Sequence, residues 1–464
     1  MSNSYTQEYK QKLKTPEDAV TVVRSGDWID YAYFNGKPIA LDKALAARKG
    51  ELKDVVVVGA VTLLPVPEVV MQDPKGEVFT YVDMHFSLIS RMMQDQRPNV
   101  FYNPTLFGEG ETYYEMVTPD SPIYDPGKIG SPKRDVFMVR VAPMDAGGYF
   151  NWGIHNSVAY AQAMSAKTVI VEVNSNVPNA LGGECERIHI SQVDIIVESE
   201  NEPMMELPAA EPTEVDKKIA GHVLGYLSDG CSIQLGIGTM PNILGKMIAA
   251  SDLKDLSGHT EMLVDAFMDM YESGRMTGKY KSPNKGKIVY TFALGSKALY
   301  DWIDNNPALA SYNVKNANHP RLLMDIDKLV SINQCVEVDL YSQVSAESSG
   351  FKQISGNGGM WDYVTGAFWS KGGRSFICLP STHKNKEGKL VSRIVPTFRP
   401  GTISTIPRPM AHFIVTEYGA VCLKGEPTWR RAEKLISIAH PDFRDELIKA
   451  AEKQKIWRQS NKKD

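Results

Sequence analysis

No stretch of this 464-residue chain holds the ~18 consecutive apolar residues that a membrane-spanning helix needs. Cysteine is scarce. Cys185, Cys231, Cys335, Cys378 and Cys422 are widely spaced and never form a Cys-x-x-Cys pair, which argues against a disulfide framework and a zinc ribbon and points to a reducing cytoplasm. The histidines show no His-Glu-x-x-His or other ligand spacing, so no metal is expected, and His85, His155 and His259 read as core or surface residues. A Gly-x-Ser-x-Gly elbow and a Gly-x-x-x-x-Gly-Lys-Ser/Thr loop are both missing, which disfavours a serine hydrolase and an ATP-driven ligase. Strong charge of either sign is also lacking: the net charge is −4, and no basic stripe marks a nucleic-acid partner. The segment from Met1 to Lys14 is polar and basic without an apolar core, so it reads as neither a secretory signal nor an anchor. The Lys-rich tail from Lys453 to Lys463 reads as a frayed end.

What remains is the composition of a soluble globular enzyme, 43% hydrophobic and 23% charged, in a chain too long for a single core. Short apolar runs alternate with longer helical patterns: Asp54 to Gly59, Phe79 to Asp83, Asp135 to Arg140, Lys167 to Glu172 and Val193 to Val197. Such alternation predicts an α/β fold with mainly parallel sheets covered by helices. Every period breaks between Glu198 and Pro212, which predicts a linker and two domains, 1–205 and 213–464. The pattern restarts with a helix from Lys217 to Leu227, the strand Ser232 to Leu235, and a helix from Pro241 to Ala250. Later strands are expected at Ile288 to Phe292, Leu329 to Ile332, Arg374 to Leu379 and His412 to Thr416, with helices closing the chain.

Three stretches carry chemistry. Gly258-His259-Thr260-Glu261-Met262 stands between Gly236-Ile237-Gly238-Thr239-Met240-Pro241 and Ser355-Gly356-Asn357-Gly358-Gly359-Met360. Glycines let backbone N–H groups approach a ligand closely, which suits the phosphates and thioester carbonyl of an anionic acyl carrier. The second glycine stretch precedes a helical pattern and so places N–H groups at a helix amino end. The first is a poor dinucleotide fingerprint, because Pro241 stands where the third glycine belongs. On the residues alone the first glycine stretch is equally a tight turn, and the second, the more specific of the two, also fits a flexible surface loop. Met262, Phe267 and Met270 alternate with Asp265, Asp269 and Glu272 near helical spacing, so Glu261 could be one more acid on a solvated helix face.

Together, in this order and at these separations, the three segments resemble the acetyl-CoA hydrolase/transferase family, most closely its butyryl-CoA:acetate and 4-hydroxybutyrate CoA-transferase members, over nearly the whole chain. The resemblance implies two open α/β domains of the CoA-transferase type and a homo-oligomer, for which the apolar C-terminal helices are the candidate interface. It makes Glu261 the nucleophile and places the oxyanion site at Gly358 or Gly359, with Glu417 an acid near the active site. Gly236, Ile237, Gly238, Thr239, Met240, Asn333 and Val336 match CoA contacts. Lys384 and Lys386 offer cations for the CoA phosphates, although a solvated hairpin turn explains either lysine as well. Ser331 to Asp339 otherwise alternates as one half-buried strand. Tyr31 to Phe34 and Gly147 to Gly153 resemble segments near the acyl pocket, and equally fit core and turn.

The implied reaction moves CoA from butyryl-CoA or 4-hydroxybutyryl-CoA to acetate through a glutamyl-CoA thioester, with CoA as substrate and no permanently bound cofactor. A free Glu titrates at ~4.3, so Glu261 is expected to be ionised at neutral pH without a partner base. The alternatives are an acyl-CoA hydrolase and a non-catalytic CoA-binding protein.

Overall fold

The computed structural model describes residues 3–119, 123, 134–207, 211–236, 238–458 and 460. The chain divides into two compact units, Met1–Leu207 with Val289–Ala317, and Pro208–Ile288 with Asn318–Asp464. Each unit is an open α/β structure with a mostly parallel sheet.

In the first unit seven strands lie in the spatial order Ile195–Glu198, Thr168–Val173, Val136–Val141, Trp28–Tyr31, Val55–Gly59, Phe79–Asp83, Val100–Tyr102. Every pairing is parallel. The strand Val136–Val141 shows why its sequence is apolar at every position but Arg140. Val136 and Met138 point into one core cluster while Phe137, Val139 and Val141 point into another, so both faces are covered and no position can be polar without a partner. Each such side chain stabilises the unit by roughly 1.5–3 kcal/mol through burial. Where a charge does enter, it has a partner: Arg140 donates to Asn35 O, and at the end of Thr168–Val173, Glu172 accepts from the N–H groups of Ile39 and Leu41 at the start of the helix Ala40–Ala47.

The segment Val289–Ala317, read from the sequence as part of the second domain, packs with the first unit. Its strand Leu309–Tyr312 pairs in parallel with Gly182–Glu184, and the Ser157 N–H donates to Thr291 O at 2.9 Å. Pattern alone cannot reveal this return, because the partner Gly182–Glu184 is an exposed Gly-Gly-Glu that carries no strand pattern of its own.

In the second unit the strands run in the order Ser257–Gly258, Ser232–Leu235, Leu329–Gln334, Arg374–Cys378, Phe413–Thr416, Gly419–Cys422. All pair in parallel except the last. Only Glu417 and Tyr418 separate the final two strands, too few residues for the crossover that a parallel pair requires. The chain runs outward from Ser232–Leu235 to one side and returns on the other as Leu329–Gln334. The order therefore reverses between these strands, and ligands favour the crevice beyond the carboxyl ends of strands at such a point. The expected single strand from Ser331 to Asp339 is two: Leu329–Gln334 in the main sheet, and Glu337–Asp339, which pairs with Val344–Ser345 and Ile394–Val395. The break falls at Cys335 and Val336, where the Val336 N–H turns to Ser345 O.

The closing helices Thr428–Ser437 and Pro441–Lys453 bury Ala432, Leu435, Ile436, Leu447, Ile448 and Ala451 in the core cluster of the second unit. Their apolar faces are occupied within the chain, and so do not offer the oligomer interface expected from the sequence.

Candidate active site

Glu261 does not sit on the amphipathic helix, which begins only at Asp265. It lies in a turn between the edge strand Ser257–Gly258 and the short strand Met262–Leu263. Neighbouring residues anchor the turn: the His259 N–H donates to Ile233 O at 3.0 Å, and Thr260 Oγ1 donates to Met262 O at 3.0 Å. Both His259 and Thr260 are fully buried, whereas Glu261 is half-buried.

Two donors meet its carboxylate. Asn318 Nδ2 approaches Oε2 at 2.5 Å, and the backbone N–H of Gly359 also donates to the group. Gly359 caps the amino end of the helix Met360–Trp369, whose Tyr363, Val364 and Ala367 root it in the core. An anion is favoured at such an end. A Cβ on Gly359 would overlap Glu261 Oε2 and Asn318 Nδ2, and would stand 3.0 Å from Glu261 Cδ. The backbone there is ordinary, φ −94° and ψ 12°, so glycine is needed for room and not for conformation. Its neighbour Gly358, at φ +52°, is the one that needs left-handed freedom.

Burial pushes the Glu261 carboxyl from 4.5 up to about 7, against the pull of the Asn318 and Gly359 hydrogen bonds. This corrects the expectation of a fully ionised glutamate at neutral pH. No cation is among the groups that shift it.

The first glycine stretch leaves the carboxyl end of Ser232–Leu235 at the reversal point. The Gly236 N–H donates to Ile332 O at 3.1 Å, and Gly238, at φ +118°, caps the helix Thr239–Ala249. A Cβ on Gly238 would stand 3.7 Å from Gln334 Oε1. Asn333, one residue back, pairs its amide with Gln234 at 3.2 and 3.3 Å. The structure thus brings the Gly236–Gly238 turn and the Asn333–Gln334 strand end together; Ile237 lies outside the described residues. Thr239 Oγ1 donates to Asp216, and Met240 is 1% exposed, so Met240 can offer a ligand only its main chain. Val336 O accepts from Arg393.

Glu417 sits in the turn of the last hairpin, where its two oxygens accept from Ser381 N at 2.8 Å and Ser381 Oγ at 2.6 Å. Lys384 and Lys386 are exposed on a hairpin formed by Thr382–Lys384 and Leu390–Ser392, whose turn Asn385 holds through Glu387 N and Lys389 N. In the first unit, Tyr31 is a core residue that donates to Asp42, and Gly147 belongs to a tight turn closed by Asp145. Among the described residues no group of three or more His, Cys, Asp or Glu side chains could hold a metal ion, and no helix is long and apolar enough to cross a membrane.

Asn318 is the residue that sequence reasoning missed. It stands in Lys315-Asn316-Ala317-Asn318-His319, where no periodicity or motif separates it from its polar neighbours.

Residues 112–208 match the model of the acetyl-CoA hydrolase/transferase N-terminal domain and residues 295–451 that of its C-terminal domain; Glu261 falls between the two. The butyryl-CoA:acetate CoA-transferase of Anaerostipes caccae is 46% identical over 99% of this chain and all of its own. The probable butyrate:acetyl-CoA coenzyme A-transferase of Syntrophomonas wolfei is 47% identical, with 100% of both chains covered. Among solved structures, RipA from Yersinia pestis superposes with a TM-score of 0.86 at 34% identity, covering 98% of this chain and 100% of that one. The 4-hydroxybutyrate CoA-transferase of Porphyromonas gingivalis gives 0.76 at 28% identity, with 97% and 100% covered. With identity of this order along its full length, the chain belongs to the acetyl-CoA hydrolase/transferase family.

Proposed function

We propose that this protein transfers CoA from butyryl-CoA, or a short-chain relative, to acetate through a covalent intermediate on Glu261. The protein is a CoA-transferase. One observation carries the assignment of the nucleophile: the carboxylate of Glu261 is held by Asn318 Nδ2 and the Gly359 N–H in a space that admits no Cβ.

In the first step a Glu261 oxygen attacks the thioester carbon and the CoA thiolate leaves, giving an acyl-glutamyl anhydride. The thiolate then attacks the glutamyl carbonyl, expelling butyrate and forming a glutamyl-CoA thioester. Acetate attacks that thioester to give an acetyl-glutamyl anhydride, and the returning thiolate takes the acetyl group and restores the carboxylate. This is covalent catalysis with ping-pong kinetics. As Glu261 moves onto the substrate it releases its two donors, and Asn318 and Gly359 become available to the oxyanion, a contribution of ~3–4 kcal/mol per donor. Exchange of one thioester for another needs no nucleoside triphosphate.

CoA and short-chain carboxylates are substrates in this reading, and no resident cofactor takes part. The Gly236–Gly238 turn and Asn333 receive the carrier, with exposed Lys384 and Lys386 available to its phosphates. Widely spaced cysteines, all free, suit a reducing cytoplasm. A homo-oligomer would use surfaces other than the apolar faces of the C-terminal helices.

The test is direct. After incubation with butyryl-CoA and no acceptor, peptide mass analysis should find CoA on the peptide that carries Glu261, labile to hydroxylamine and absent from Glu261→Gln. An active enzyme whose peptide never carries CoA, even after rapid quench, would refute the covalent route.

A further inference from the structure

The strand that delivers Glu261 is only two residues long and forms the edge of its sheet. Its inner side is tied down, since Ser257 N donates to Cys231 O at 2.9 Å and His259 N to Ile233 O at 3.0 Å. Among the described residues no strand of the sheet lies on the outer side, where only Leu256 makes an isolated parallel bridge with Met276. There the chain from Arg275 to Lys287 folds back over the edge: the Leu256 N–H donates to Arg275 O and the Gly278 N–H to Leu256 O, both at 2.9 Å, and Gly286 N closes the excursion on Gly278 O at 3.0 Å. Lys281 lies inside this excursion. Its side chain is buried, 4% of the residue being exposed, and Nζ donates to Gly258 O at 2.7 Å and to Lys287 O at 3.1 Å.

An ammonium group is an expensive means of satisfying two carbonyls. Burial is the one influence that shifts it, lowering the amine from 10.5 to about 7, and no carboxylate offsets that cost. A water molecule or a serine could satisfy the Gly258 carbonyl more cheaply. A lysine adds reach, since one group clamps the outer edge of the strand and the far end of the excursion at once.

We propose that Lys281 is a positioning residue for the covalent step: by holding the Gly258 carbonyl from outside, it fixes the backbone from which Glu261 reaches its Asn318 and Gly359 donors. The proposal rests on Glu261 being the nucleophile. Among the described residues the hydrogen bonds of Lys281 Nζ run to Gly258 O and Lys287 O and not to Glu261, Gly236 or Gly238, so its loss acts on chemistry and leaves CoA binding in place.

Lys281→Met keeps the length of the side chain and removes its donors. With butyryl-CoA alone, the rapid-quench rate of CoA loading onto the Glu261 peptide is expected to fall roughly 100-fold, the scale of a ~1 Å misplacement, while CoA binding by calorimetry stays within about twofold of the unaltered protein. Lys281→Ala opens a cavity for a small amine. Propylammonium, which can donate to both carbonyls, should restore part of the loading rate, whereas tetramethylammonium, which carries charge but no donor, should not. Loading within about threefold of the unaltered protein in both variants would overturn the proposal. Equal recovery with the two ammonium ions would do so as well. If Lys281→Met does not fold, Lys281→Ala with propylammonium decides: a restored fold without restored loading counts against positioning. An unaltered enzyme that turns over yet never carries CoA on Glu261 refutes the nucleophile assignment itself, before any lysine variant is compared.

Discussion

Adding one methyl group at Gly359 is the sharpest test of the site. The backbone angles there are open to any residue, so Gly359→Ala carries no conformational penalty, and its effect is purely that of the methyl group. That methyl would fall on Glu261 Oε2 and Asn318 Nδ2. To recover ordinary contact at ~3.5 Å the carboxylate must retreat by more than ~1 Å, which places the expected loss of turnover at about 100-fold or more. Overpacking of this kind costs about 1–3 kcal/mol of stability. The variant should therefore fold and be nearly inactive. Steady-state turnover with butyryl-CoA and acetate, CoA binding by calorimetry and thermal unfolding together separate the possibilities. Turnover within about threefold of the unaltered enzyme, in a protein that unfolds at a similar temperature, would refute the close approach of Glu261 to Gly359 on which the mechanism depends.

Other consequences follow from the same group. Because burial raises the folded-state pKa of Glu261, the neutral acid is the form that the fold prefers: its contribution to stability is complete below 4.5 and is lost as pH rises through about 7. The rise from 4.5 to about 7 corresponds to roughly 3 kcal/mol, reduced to about 1–2 kcal/mol by the partial exposure of the residue. Glu261→Gln should thus be inactive yet more stable than the unaltered protein at pH 8.5, with the difference shrinking below pH 5; urea unfolding at both pH values checks it, and a pH-independent difference would count against the shift. The loading of CoA by the unaltered enzyme should rise with pH and reach half its plateau near 7. Asn318→Ala removes a hydrogen bond that lowers this pKa, so the midpoint should move upward while the plateau falls about tenfold or more; an unmoved midpoint in the pH–rate profile would contradict the Asn318 contact.

Much of this architecture is legible in the residues. Runs such as residues 136–139 and 55–58 declare themselves because a parallel sheet covered on both faces tolerates many adjacent apolar side chains. Trp28–Tyr31 is harder to read, since Asp30 interrupts the run, and only the structure shows that a buried pairing with Arg134 makes an acid tolerable there. Glu261 and Gly359 could be singled out only through the resemblance of their segments to the acetyl-CoA hydrolase/transferase family, since on the residues alone Glu261 fits a solvated helix face as well. Asn318 could not, since its importance comes from the fold placing one amide beside one carboxylate. The pKa of Glu261 is hidden for the same reason, being a property of its surroundings.

The return of Val289–Ala317 to the first unit has a consequence for biosynthesis. By the time a ribosome has made Leu207, the emerging chain already contains all seven strands of the main sheet, but the partner of Gly182–Glu184 is still about a hundred codons away. The first unit must therefore wait, with that edge uncovered, while the Pro208–Ile288 portion of the other unit emerges ahead of its own remainder. Expression of residues 1–207 alone should give a chain prone to association through the unpaired strand, and joining 289–317 to it through a short linker should relieve that tendency.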